Sequence, residues 1–122
     1  MKRPLAYITA AWGSCEYTNT KVAAAYCRVV YEAGFSPICP ILSQSLYLNS
    51  AIPAEHKSGK DMGRELLRRS RVLVVCGDRI NEDVKSDIAI AQRYRIAATT
   101  LDGIMTIMEH GAVGDYWQLT LD

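Results

Sequence analysis

Asp83 and Asp87, four residues apart, are the side chains in this sequence best spaced to do chemistry together. Residues at i and i+4 of a helix are neighbours on its surface, so the two carboxylates stand side by side if the segment is helical. Like charges at that separation make one carboxylate harder to ionise and leave it available as an acid, while a nearby helix N-terminus favours both anions. Burial decides between the two effects. One group that attacks and another that donates a proton is the division of labour such a pair suits. The structural alternative is that Glu82, Asp83 and Asp87 complement a helix N-terminus and Lys85, as most such acids do.

The elements around the pair place it. Val72 to Val75 is a continuous apolar run, the mark of a parallel strand covered on both faces. It ends at Cys76-Gly77-Asp78-Arg79-Ile80-Asn81, after which Asn81 can cap a helix that buries Val84, Ile88 and Ala91. Ahead of it, Leu5 to Thr9 reads as a first strand, and Thr9 to Ser14 as a loop of mostly small residues that lets backbone approach a ligand. Asn19 or Thr20 is expected to cap a helix with Val22, Tyr26, Val29, Val30 and Ala33 on its buried stripe, stopped by Gly34. Phe35 to Cys39 is the second strand, ended by Pro40.

Ile41 to Ser58 reads as a long connection, either functional or carrying one short helix around Gln44 to Tyr47. Lys60 to Ser70 is expected to turn Met62, Leu66 and Leu67 inward and Arg64, Arg68 and Arg69 outward. Ile96 to Thr100 is a fourth strand near an edge, followed by a helix capped by Asp102, striped with Leu101, Ile104, Met105 and Met108, and stopped by Gly111. The tail carries Tyr116, Trp117, Leu119 and Leu121, enough apolar surface to dock at home or on another subunit.

Four parallel strands joined by right-handed crossovers give a three-layer α/β/α sandwich of Rossmann or flavodoxin type, with order 2-1-3-4 the simplest solution. The ligand crevice then opens between strands one and three. Tyr7, the Thr9 to Ser14 loop with Trp12 and Gly13, and the Gly77 to Asp87 segment surround its mouth. No GxGxxG, GxxxxGK[ST] or GxSxG motif is present.

Composition narrows the function classes. The chain of 122 residues, 49% hydrophobic and 22% charged, fits one soluble domain, and its net charge of +1 supplies no field for nucleic acid or an anionic membrane. Met1-Lys2-Arg3 precedes only a strand-length apolar stretch, and no run approaches the roughly 20 residues of a membrane span, so a cytoplasmic protein is expected. Cys15, Cys27, Cys39 and Cys76 show no CxxC spacing and His56 and His110 no ligand cluster, so neither a metal site nor a cofactor is expected. Cys27, Cys39 and Cys76 read as small buried hydrophobes in a reducing compartment.

Between about residues 5 and 100, Tyr7-Ile8-Thr9, Asn19 with Ala23, Tyr26-Cys27-Arg28, Gly34, Pro37, Pro40-Ile41-Leu42, Met62-Gly63 with Leu66-Leu67, and Gly77-Asp78-Arg79-Ile80 before an acidic helix form a pattern. It resembles small bacterial and phage proteins of uncharacterised function that are similar to the nucleoside 2-deoxyribosyltransferases. The resemblance implies an oligomer with shared sites that cleaves the N-glycosidic bond of a nucleoside or nucleotide through a carboxylate nucleophile on the helix after strand three. Carried over, that nucleophile falls on Asp87, where the family has Glu; Asp83 stands where a small residue is usual; the assisting aspartate falls near Asn81; and the strand-one tyrosine is Tyr7. Ala10-Ala11-Trp12-Gly13 replaces a glycine-rich turn.

A carboxylate answers the positive charge that glycosidic cleavage builds on the sugar, while an acid protonates the departing base. Asp is one methylene shorter than Glu, and misplacement by about 1 Å can cost on the order of 100-fold in rate. Two classes therefore fit: an N-glycosidic enzyme with Asp87, Asp83 and Tyr7 catalytic and Thr9, Trp12, Gly13, Gly77, Asp78, Arg79 and Asn81 binding substrate, or a catalytically silent module that binds a nucleotide or a protein through the same crevice. Any phosphate is expected to meet Arg79 or an arginine of the Lys60 to Ser70 helix.

Overall fold

The structure, a computed structural model, describes residues 3–110. Nine elements follow in order: β1 (Leu5–Ala10), α1 (Glu16–Glu32), β2 (Ser36–Ile38), α2 (Pro40–Gln44), α3 (Pro53–Arg68), β3 (Val72–Cys76), α4 (Glu82–Arg93), β4 (Ala97–Thr100) and α5 (Leu101–His110). The strands form one sheet in the order β2-β1-β3-β4, with every neighbouring pair parallel. This is the expected order, with β4 at an edge. Helices α1 and α5 pack together, as do α3 and α4, giving a helix layer on each side of the sheet.

Strand alternation decides what each layer receives. Ala6, Ile8 and Ala10 of β1 and Val72, Val74 and Cys76 of β3 enter a core with Ala23, Val30, Phe35 and Ile104. Tyr7 and Leu73 enter the opposite core with Leu67 and Ala91. The odd residues of β1 therefore face the side of the acidic helix.

Several local expectations are corrected. Helix α1 begins at Glu16 behind Cys15, so neither Asn19 nor Thr20 caps it; Asn19 is buried in its first turns. Val30 and Ala33 are buried as expected, but Asn19 and Ala23 join them on the inward face, while Val22 is 37% exposed. Gly34 does stop it: at φ +99° it lets its own N–H reach Tyr31 O at 3.0 Å and that of Phe35 reach Val30 O at 3.2 Å. Most of the expected long connection is helical, because Pro40 and Pro53 stand at the first turns of α2 and α3, where a missing N–H costs nothing. Pro40 thus starts a helix as well as following the strand.

Helix α3 buries Gly59, Gly63 and Leu67, while Met62 and Leu66 are partly exposed rather than inward. At the start of α5 the hydroxyl of Thr100 accepts from Gly103 N at 3.1 Å, so Thr100 takes the capping role expected of Asp102. Ile104 is buried as expected, and Met105 is 39% exposed. Cys39 and Cys76 are buried and Cys27 half-buried. Gly111, Tyr116, Trp117, Leu119 and Leu121 lie outside the described residues. Among the described residues no helix is long and apolar enough to cross a membrane.

Candidate functional site

A cavity of about 520 Å³ opens beside the carboxyl end of β1, walled by the loop after β1, by α2 and α3, and by the start of α4. That size lies within the range of small-molecule sites. Tyr7 and Thr9, alternate residues of β1, reach it from the sheet, and Asp87 reaches it from α4. Thr9 is 4% exposed and its hydroxyl donates to Asp87 Oδ2 at 2.7 Å. Burial raises the Asp87 pKa above its ordinary value; Thr9 works against the shift, the Asp83 charge adds to it, and Arg64 and Lys60 oppose it. Burial, followed by the Asp87 charge, pushes the Tyr7 hydroxyl well above its usual range. Desolvation is thus the main reason why Asp87 is harder to ionise than an ordinary carboxylate.

Helix α3 comes close because it presents glycines. A methyl group on Gly63 would stand 3.0 Å from the Tyr7 hydroxyl, and one on Gly59 only 2.7 Å from Gln44 Oε1. Gln44 Nε2 donates to Gly59 O at 3.1 Å, which ties α2 to α3 across the cavity. This approach brings His56, Lys60 and Arg64 to the wall. Asp83 lies at the exposed edge, its carboxylate 3.4 Å from Lys60 Nζ.

The opposite rim is Trp12, Gly13 and Ser14. Asn19 fixes it by accepting from Gly13 N at 3.0 Å and donating to Gly13 O at 2.8 Å. Trp12 leans on Tyr26 with ring centroids 6.2 Å apart.

Of the residues expected at the site, Tyr7, Thr9, Trp12, Gly13, Asp83 and Asp87 line this cavity. Gly77, Asp78 and Arg79 instead line a separate depression of about 360 Å³ on the far side of the Trp12 rim. The chain leaves β3 on the α1 side there: a methyl group on Gly77 would meet the Tyr26 hydroxyl at 3.5 Å. Arg79 braces the loop, its Nη2 donating to Ala11 O at 3.3 Å. Asn81 is occupied as the cap of α4, its side-chain oxygen accepting from Val84 N at 3.0 Å. Asn19, Gln44, His56 and Lys60 were not expected at the cavity. The sequence does carry a signal for the two α3 residues, since His56, Lys60 and Arg64 recur every fourth residue, but it is visible only once the helix is started at Pro53.

The chain belongs to the family described as a domain of unknown function, DUF7768, which matches residues 4–101. No curated protein matches it. The matched span contains every residue that lines the cavity.

Proposed function

We propose that the protein is a nucleoside 2-deoxyribosyltransferase-like enzyme that cleaves or transfers at the N-glycosidic bond of a deoxynucleoside or nucleotide. The observation that carries this reading is Asp87: a desolvated carboxylate in a ligand-sized cavity, with one oxygen held at 2.7 Å by Thr9. With Oδ2 so held, Oδ1 is the oxygen assigned to the anomeric carbon.

In the proposed first step Oδ1 forms a bond to the anomeric carbon as the carbon–nitrogen bond breaks. The bonding electron pair leaves with the base, which takes a proton from a water molecule at the open mouth beside Asp83 and leaves hydroxide there. In the second step water, or the N–H nitrogen of another base, attacks the same carbon as its bond to Asp87 Oδ1 breaks; the electron pair returns to the carboxylate, and the proton shed by the attacker neutralises the hydroxide left by the first step. Desolvation serves this chemistry because an anion stripped of water interacts more strongly with the cationic sugar than an exposed one. Tyr7 and Thr9 act as positioning residues for that anion, and Trp12 offers a face on which a base can stack.

The silent-module reading has its own support, since Asn81 is spent on capping and Asp87 is one methylene short of the family's glutamate. Free base released from deoxynucleosides and their 5′-monophosphates, resolved by chromatography, separates the two. The enzyme reading expects release by the wild type, loss of at least about 100-fold in Asp87→Asn, and retention or gain in Asp87→Glu. No release from any of these substrates by the wild type, or a wild-type rate in Asp87→Asn, overturns it.

A further inference from the structure

His56, Lys60 and Arg64 stand at i, i+4 and i+8 of α3, a spacing that places all three on one helix face, and all three line the Asp87 cavity. At 1.5 Å per residue the stripe is about 12 Å long. Its lower end is fixed by Gly63, which packs against the Tyr7 hydroxyl, so Arg64 lies nearest the floor and His56 nearest the mouth. The competing partners are weak. Arg64 approaches Asp61 only at 3.9 Å with both side chains about half exposed, and Lys60 meets Asp83 at 3.4 Å at the exposed edge. Exposed pairs of this kind contribute little and exchange readily for a better anion.

We infer that this stripe is a phosphate subsite and that the preferred ligand is a nucleoside 5′-monophosphate rather than the bare nucleoside, an inference that rests on the function proposed above. Asp87 and Asp83 repel an anion, and the cationic donors that can offset them, Arg64 and Lys60, stand on the α3 wall, with Lys60 already 3.4 Å from Asp83. The exocyclic 5′ arm carries its substituent away from the anomeric carbon. With that carbon at Asp87 and the base toward Trp12, the arm runs along α3. The planar fork of Arg64 provides paired, charge-assisted hydrogen bonds to phosphate oxygens, and Lys60 adds a mobile donor beside it.

The test is calorimetric titration of deoxyadenosine and of its 5′-monophosphate into Asp87→Asn, which leaves the ligand intact, and into that variant with Arg64→Ala or His56→Gln added. The monophosphate should bind at least about tenfold more tightly than the nucleoside, and Arg64→Ala should remove most of that margin while leaving nucleoside affinity unchanged. His56→Gln should cost less, and added salt should erode the margin. Equal affinity for the two ligands, or an equal loss for both in Arg64→Ala, overturns the subsite and leaves the nucleoside reading standing. Binding of neither overturns the nucleoside reading and the subsite with it.

Discussion

Replacing Thr9 by Val removes a hydroxyl from the centre of the site and changes little else. The two side chains are close in volume, Thr9 is 4% exposed, and its hydroxyl donates to Asp87 Oδ2 at 2.7 Å. A hydrogen bond to a charged group contributes about 1.5–3 kcal/mol net, and here it favours the carboxylate over the acid. A protonated Asp87 keeps only part of the contact, so the variant's Asp87 should titrate higher than in the wild type. The consequence for stability has a definite sign. The contact acts mainly while Asp87 is ionised, so the variant's deficit is small below the ordinary aspartate pKa near 3.9. It grows to about 1.5 kcal/mol as pH rises through the raised folded value.

The assay needs no substrate. The carbon-13 shift of the Asp87 carboxyl, followed against pH in both proteins, gives the two midpoints directly, and urea unfolding at acid and neutral pH gives the two deficits. An unmoved midpoint, or a deficit of the same size at both pH values, refutes the claim that Thr9 acts by holding the anion.

Asp87→Asn is expected to stabilise the protein at pH 7. Burial raises the folded pKa of Asp87 above its unfolded value, so the stability it contributes is fully present below the unfolded value and is lost as pH rises through the folded one. The gain should vanish near pH 3, where both side chains are neutral, and a gain that persists there contradicts the assignment. Gly77→Ala tests the turn after β3: Gly77 has φ +81° and room for a methyl group 3.5 Å from the Tyr26 hydroxyl. Its cost is therefore conformational, about 1–2 kcal/mol or a few degrees in Tm, and an unchanged Tm would show that the turn relaxes freely.

The sheet was legible because its signals are large. An uninterrupted Val72 to Val75 run needs cover on both faces, and the helix cap at Asn81 and the stop at Gly34 each need a particular chemistry at a particular place. Apolar spacing placed Val30 and Ala33 of α1 and Leu67 of α3 inward correctly but misplaced Val22, Met62 and Leu66, for one shared reason. Both helices approach their neighbours through small residues, Ala23 in α1 and Gly59 and Gly63 in α3, which leaves Val22, Met62 and Leu66 on the shoulders at 37–38% exposure. Apolar periodicity follows the largest side chains, and here these flank the contact instead of making it. His56 and Lys60 were hidden for a different reason: a helix begun at Lys60 rather than at Pro53 leaves His56 in the connection and the four-residue spacing unseen.

That close approach bears on the aspartate where the resembling transferases carry glutamate. Asp87 is held from the sheet side by Thr9, and its backbone is fixed by a helix whose Val84 and Ala91 are buried, so it has little freedom to reach further. The opposite wall can supply the missing length instead. With glycines at 59 and 63, α3 sits directly against Gln44 and the Tyr7 hydroxyl, which brings the α3 wall close to the sheet side that carries Thr9 and Asp87. On the proposed function, a sugar confined there would be pressed toward Asp87, the direction a carboxylate one methylene shorter requires. In the proposed enzyme the aspartate and the glycines would act as one arrangement, in which reach is provided by the position of a helix rather than by the length of a side chain.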